Sequence, residues 1–125
     1  MRRPLKSLGK TGEDTAVRYL KKNGYRILER NVRCRTGEID VVASEGDTIC
    51  FVEVKSLQSD DSGLPEYGIT KTKRRRIVNA ALFYLTRKHI QDADCRFDVV
   101  SIVMGEPEPR IELFRGAFIP ERRLP

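Results

Sequence analysis

Apolar residues change their spacing several times along the chain, and each change marks an element. Ala16, Val17 and Leu20 fall on one face at helical spacing and predict a helix from Thr11 to about Asn23. Thr11 is placed to cap it, Asp14 stands at the capping-box position and Gly24 supplies the stop. The spacing then shortens to that of strands. YRILERNVR (25–33), GEIDVVAS (37–44) and TICFVEVK (48–55) are rich in β-branched and aromatic residues. Short turns at Arg35-Thr36-Gly37 and Glu45-Gly46-Asp47 separate them, which predicts an antiparallel meander.

Residues 56–69, SLQSDDSGLPEYGI, carry Ser, Asp, Gly and Pro and read as a mobile loop. Helical spacing returns with Ile77, Val78, Ala81, Leu82 and Leu85, predicting a second helix from about Thr70 to His89. RFDVVSIV (96–103) is a strongly apolar strand, and residues 110–115 form one more after the turn GEPEP. The order α-β-β-β-α-β-β is that of an α/β fold. With no repeat and no composition break, residues 1–125 read as a single domain: a basic, poorly ordered arm over 1–8, a core over about 9–119 and a short C-terminal tail.

Composition narrows the function classes. Lys plus Arg outnumber Asp plus Glu by 24 to 18 in 125 residues, giving a net charge of +6 that favours an anionic partner such as nucleic acid. The chain has 3 cysteines and 1 histidine, and none forms a C-x-x-C pair or a Cys/His cluster. A zinc site and a disulfide scaffold are therefore not expected, and a reducing cytoplasm fits this cysteine usage. No segment approaches the roughly 20 apolar residues that span a bilayer, and the basic N-terminus lacks the apolar stretch of a signal peptide, so no membrane partner is expected.

The acids sit where core residues are expected. Counting along the first helix from Glu13, Ala16, Val17 and Leu20 follow on its own face, so Glu13 points from the stripe that packs inward. Asp40 is embedded in I-D-V-V-A and Glu53 in I-C-F-V-E-V-K, runs that read as strands covered on both faces. A desolvated carboxylate needs a cation or a proton. Alternation puts Phe51, Glu53 and Lys55 on one strand face and Glu38, Asp40 and Val42 on one face of its neighbour, so a hairpin can bring Asp40 close to Glu53 and Lys55.

Carboxylates converging beside an amine suit metal-assisted phosphodiester hydrolysis. Hard oxygen ligands hold Mg²⁺ or Mn²⁺, and Lys55 can orient water and offset charge developing on phosphorus. The competing reading is an ion-pair cluster of Asp40, Glu53 and Lys55 that serves only the fold. Lys71, Lys73, Arg74, Arg75 and Arg76 crowd the start of the second helix, where the helix dipole prefers acids. A bound phosphate relieves that conflict, and Arg2, Arg3, Lys6 and Lys10 can extend the footprint, although charge runs are usually solvated faces. His89 complements the dipole at the end of this helix, and Cys50 and Cys95 read as buried core thiols.

These residues fall into motifs: G-K-T-G-E-D-T-A (9–16), N-G-Y-R-I-L-E-R-N (23–31), G-E-I-D-V-V-A (37–43), F-V-E-V-K (51–55) and R-F-D-V-V (96–100). In this order they closely resemble the YraN-type family of small bacterial proteins, over about residues 9–119. That family belongs to the restriction-endonuclease-like, PD-(D/E)XK superfamily and is similar to archaeal Holliday-junction resolvases. The resemblance implies a restriction-endonuclease-like core, a mixed β-sheet flanked by helices, with a divalent metal between Asp40 and Glu53, Lys55 as the catalytic lysine and Glu13 as an auxiliary helical acid. One departure matters. The family commonly has Thr-Arg or Ser-Arg after the E-V-K, whereas here Ser56 is followed by Leu57, so a cation that would contact phosphate is absent. Ile39, not proline, precedes Asp40.

The expectation is a Mg²⁺- or Mn²⁺-dependent endonuclease acting on DNA in repair or recombination, reading backbone and shape, because no base-reading element is visible. A catalytically silent nucleic-acid-binding module with the same fold is the alternative, and an interaction protein whose charged cluster is structural is a third. Resolvases are homodimers, but no dimerisation surface is legible in this sequence.

Overall fold

A computed structural model of the chain describes residues 5–57, 69–105, 107–121 and 124. Its elements are α1 (Leu5–Lys22), β1 (Arg26–Cys34), β2 (Gly37–Glu45), β3 (Thr48–Leu57), α2 (Lys71–Arg87), β4 (Cys95–Val103) and β5 (Arg110–Phe118), the order that the spacing predicts. The five strands form one mixed sheet in the order β1-β2-β3-β4-β5. β1, β2 and β3 are the antiparallel meander, β3 and β4 run parallel across the connection that contains α2, and β5 returns antiparallel.

Strand alternation divides the core between two faces. Val42, Phe51 and Phe97 project toward Ile77, Ala81, Tyr84 and Leu85 of α2. Val41, Val52 and Val100 project the other way, onto Ala16, Val17 and Leu20 of α1. β3 is thus covered on both sides, which its continuous apolar run anticipates. Burying each such side chain contributes about 1.5–3 kcal/mol. The Phe51 ring meets Tyr84 edge-on at 6.1 Å, and Phe97 stacks on Phe118 at 4.9 Å. No helix of the described residues is long and apolar enough to cross a membrane.

Both helices stop in the same way. Gly24 takes φ 89° after α1, with Tyr25 N–H bonded to Leu20 O and Gly24 N–H to Lys21 O. His89 takes φ 56° after α2, with Ile90 N–H bonded to Leu85 O and His89 N–H to Thr86 O. Each is a Schellman closure that satisfies the last carbonyls of its helix. α2 starts at Thr70, whose side chain accepts the Lys73 N–H at 3.1 Å.

Several boundaries differ from expectation. α1 begins at Leu5, not at Thr11, so part of the expected arm is helical. A threonine's preference for the cap is worth about 1 kcal/mol, and continued helical hydrogen bonding outweighs it; Thr11 instead takes the Thr15 hydroxyl on its carbonyl. Asp14 accordingly lies inside the helix, not at its start, and binds Arg30 at 2.6 Å. Ser56 and Leu57 extend β3, where they continue the pairing with Ile102 and Val103. His89 lies beyond the helix, as the left-handed residue of its stop, and not in the last turn. Residues 58–68 of the expected loop, Arg2 and Arg3 of the arm, and Glu106 of the GEPEP turn lie outside the described residues.

Candidate functional site

The β2–β3 ladder runs from Glu45↔Thr48 to Val41↔Val52. One rung further, the strands part and side-chain chemistry replaces the main-chain pairing. The Asp40 carboxylate accepts the Val54 N–H at 2.8 Å. Glu53 stands beside Asp40 and keeps only 10% of its side chain exposed. Burial and the Asp40 charge together hold the Glu53 carboxyl well above the usual carboxylate range, with Lys73 pulling the other way.

Lys73 is in place because α2 lies unusually close to the start of β2. A Cβ on Gly37 would fall 1.8 Å from the Arg76 carbonyl oxygen, so only glycine permits this contact. Asn79 Nδ2 pins the β1–β2 turn by donating to Thr36 O at 3.0 Å. One turn before Arg76, the Lys73 ammonium comes within 3.5 Å of Glu53 and 3.8 Å of Glu38. Arg33 approaches Glu38 from its own side at 3.9 Å.

Asp40 and Glu53 therefore meet, as the hairpin argument anticipates. Lys55 is half-buried on the Glu53 face of β3 and makes no ion pair among the described residues; the cation on Glu53 is Lys73. Glu13 is mostly buried at 14% exposure, but its carboxylate is engaged by Arg30 Nε at 3.2 Å and Asn31 Nδ2 at 2.9 Å. Among the described residues, no three His, Cys, Asp or Glu side chains are grouped as a ligand set. The site is a pair of acids with an ammonium beside it.

A divalent cation suits this donor set. Asp40 and Glu53 offer hard oxygens, and the Lys73 ammonium already marks the place as one that attracts positive charge. A cation between them would offset the burial and the Asp40 charge that raise the Glu53 carboxyl.

The basic start of α2 divides by direction. Lys73 turns to the carboxylates, which removes it from the outward patch. Lys71 reaches Glu121 at 3.7 Å, and Arg74 donates to Ile69 O at 3.2 Å with its guanidinium 5.8 Å from the centre of the Phe118 ring. Arg75 and Arg76 are exposed and make no ion pair among the described residues. Lys71, Arg74 and Arg75 border a cleft of about 410 Å³ whose far wall includes Phe118 and Ile119.

A second polar cluster lies on the α1 face of the sheet. Asp98 is fully buried and accepts from Tyr25 Oη at 2.8 Å, Arg96 Nε at 2.8 Å and Gly116 N–H at 2.9 Å. Gly116 has φ 63° and sits where the β4–β5 register slips, so the carboxylate satisfies an N–H that the ladder leaves over. Arg96 continues to Glu45 at 2.8 Å, and Arg115 reaches the same carboxylate at 2.7 Å. Burial pushes the neighbouring Cys50 thiol up to about 12, so it is an inert core thiol.

Sequence reasoning missed Glu38 as a member of the site, Lys73 as the partner of Glu53, and Tyr25, Glu45 and Gly116 in the Asp98 cluster; a neighbouring Arg or Lys is expected to pair with Asp98, and Arg96 does. The shared strand face of Glu38 and Asp40 was the one available signal. Lys73 and Glu53 are brought together only by the packing of α2.

The sequence comparisons agree with one another. A UPF0102 protein of Syntrophus aciditrophicus is 51% identical over 110 residues, covering 88% of this chain and 87% of its own length. A UPF0102 protein of Geobacter sulfurreducens is 48% identical over 114 residues, covering 90% and 89%. A third, of Persephonella marina, is 52% identical over 95 residues, covering 76% and 82%. Residues 12–102, which hold Glu13, Asp40, Glu53, Lys55 and Lys73, match the family described as "Uncharacterised protein family UPF0102", and the chain belongs to that family.

Proposed function

We propose that this chain is a nuclease-like protein with a restriction-endonuclease-like, PD-(D/E)XK core, acting on DNA with a Mg²⁺ or Mn²⁺ ion held by Asp40 and Glu53. The observation that carries the reading is the meeting of these two carboxylates where β2 and β3 part, with Glu53 buried and an ammonium beside it. The mixed sheet flanked by α1 and α2 is compatible with that superfamily. Bound there, such an ion polarises a phosphodiester and makes water a nucleophile at neutral pH.

The chain's own groups divide the remaining work. Asp40 is oriented by the Val54 N–H, and Glu53 by burial. Lys55, on the face of Glu53, orients the attacking water and balances charge developing on phosphate. Arg75 and Arg76 contact the backbone of the nucleic acid, and recognition is of shape, such as a branch or a single strand, in repair or recombination. A binding module without catalysis is the second reading. Leu57 in place of a basic residue and the engagement of Glu53 by Lys73 favour it.

Cleavage of labelled single strand, duplex, flap and four-way junction, with Mg²⁺ or Mn²⁺, separates the two. Metal-dependent cutting by the wild type that is lost in Glu53→Ala and Lys55→Ala supports the nuclease. Salt-sensitive binding without cutting, equal in all three proteins, selects the binding module. Neither binding nor cutting refutes both.

A further inference from the structure

Lys73 is the member of the basic run that turns to the candidate site, and it faces acids on two different strands. Its ammonium is 3.5 Å from Glu53 on β3 and 3.8 Å from Glu38 on β2, with its side chain 37% exposed. Glu38 is more open than Glu53, at 40% against 10%, and Arg33, its cross-strand partner on β1, approaches it at 3.9 Å. The groups facing the ammonium are therefore Glu53, with Asp40 behind it, and Glu38, with Arg33 behind it. Lys55 lies on the same sheet face but reaches neither acid.

We infer that Lys73 is the resident counter-cation of the Asp40–Glu53 pair and yields its place to a divalent cation by moving onto Glu38. This rests on the metal-site reading proposed above and concerns how that site is loaded. The physical reason is charge. Filling the pair with a divalent cation makes the site more positive, and an ammonium already at Glu53 opposes that change. Glu38 gives Lys73 a second seat within reach, so the side chain stays paired when it leaves Glu53. In that position it remains at the rim of the site as a cation facing an incoming phosphodiester, at the start of the helix that carries Arg75 and Arg76. The device would make metal occupancy depend on salt and on substrate, both of which compete for Lys73.

The test is calorimetric titration of Mn²⁺ into the full-length wild type, Lys73→Met, Glu38→Gln and the double variant, with Lys73→Gln as a second neutral replacement. Lys73 lies at a helix start already crowded with like charge, so its loss should leave the fold intact, checked by circular dichroism. The inference expects either neutral replacement to bind Mn²⁺ roughly tenfold tighter than the wild type. Glu38→Gln should bind more weakly than the wild type, and most of that loss should vanish when Lys73 is also replaced. Unchanged or weaker binding by both Lys73 variants would overturn the inference and leave the metal site standing. An equal loss from Glu38→Gln with and without Lys73 would also overturn it, making Glu38 a direct ligand. No Mn²⁺ binding by any of the proteins would overturn the metal site itself, and the loading role with it.

Discussion

The Asp40 carboxylate takes the backbone N–H of Val54 at 2.8 Å, at the point where β2 and β3 stop pairing. A side chain thus does the work of a ladder hydrogen bond, and the strands can part without leaving that donor unsatisfied. Replacing Asp40 by alanine removes the acceptor and should cost about 1–3 kcal/mol in urea unfolding. Asp40→Asn keeps an amide oxygen for the same N–H and should stay within about 1 kcal/mol of wild type. Both should abolish any Mn²⁺-dependent rise in melting temperature. Equal stability of the two variants would show that the bond carries no weight.

Two glycines that both face close neighbours should behave oppositely. At Gly37 the obstacle is the Arg76 backbone carbonyl, 1.8 Å from a new Cβ, and backbone cannot step aside. Gly37→Ala should push α2 off β2 and destabilise by about 1–3 kcal/mol or more. At Gly12 the obstacle is the Ser56 hydroxyl at 2.4 Å, the end of a side chain that can rotate. Gly12 is inside α1, where alanine gains about 1 kcal/mol of helix propensity, so Gly12→Ala should be near neutral or stabilising. Thermal melts of the pair decide the matter.

Asp98 should be among the most sensitive positions outside the candidate site. Asp98→Ala leaves Arg96 and the Gly116 N–H without their buried acceptor and should cost about 3–5 kcal/mol. Tyr25→Phe removes one hydrogen bond to that carboxylate and should cost about 1 kcal/mol. Because Asp98 and Glu53 project from opposite sheet faces, Tyr25→Phe should leave Mn²⁺ affinity unchanged. A large change in that affinity would contradict the separation of the two clusters.

Acid stability should depend on Glu45. Hydrogen bonds from Arg115 and Arg96 lower its carboxyl from 4.5 to about 2. A depressed folded-state value means stability that is present above the unfolded value near 4.5 and lost as pH falls toward 2. The group is partly open to solvent, which screens the effect to about 1–2 kcal/mol. Glu45→Gln should therefore be less stable than wild type at pH 7 and converge with it by pH 2, as measured by urea unfolding across that range. Parallel curves would sink this assignment.

Arg75 and Arg76 are exposed cations of α2 that make no ion pair among the described residues. If they contact phosphates, replacing both by alanine should lower the slope of log affinity against log salt by about 0.9 per contact on duplex DNA, or about 0.7 on single strands. Fold and Mn²⁺ binding should be untouched. An unchanged slope would place the nucleic-acid track elsewhere.

Element type and order were legible because hydrophobic spacing records which side of each element is buried, and Gly24 and Thr70 mark a stop and a start that the structure uses. The pairing of Asp40 with Glu53 was legible for the same reason, since two short-turned strands with acids at matching heights have few ways to align. The start of α1 was not, because a capping preference near 1 kcal/mol is small beside the hydrogen bonds that extend a helix. The partners of Asp98 come from the residue before β1, from β4 and from β5, and the Gly116 N–H among them is freed only by a register slip.

By itself, then, the sequence determined the elements and the two acids of the candidate site, which follow from local pattern and short-range alternation, and the family, which its motifs carry in order. Tertiary structure decided which cation serves them. Lys55 is two residues from Glu53 along the strand, yet Lys73, far along the chain, holds the ion pair. Gly37 lets α2 settle against β2, and that approach sets where the ammonium ends. Sequence spacing records which face a side chain shares, whereas the distance between charges on different elements is fixed only when those elements pack.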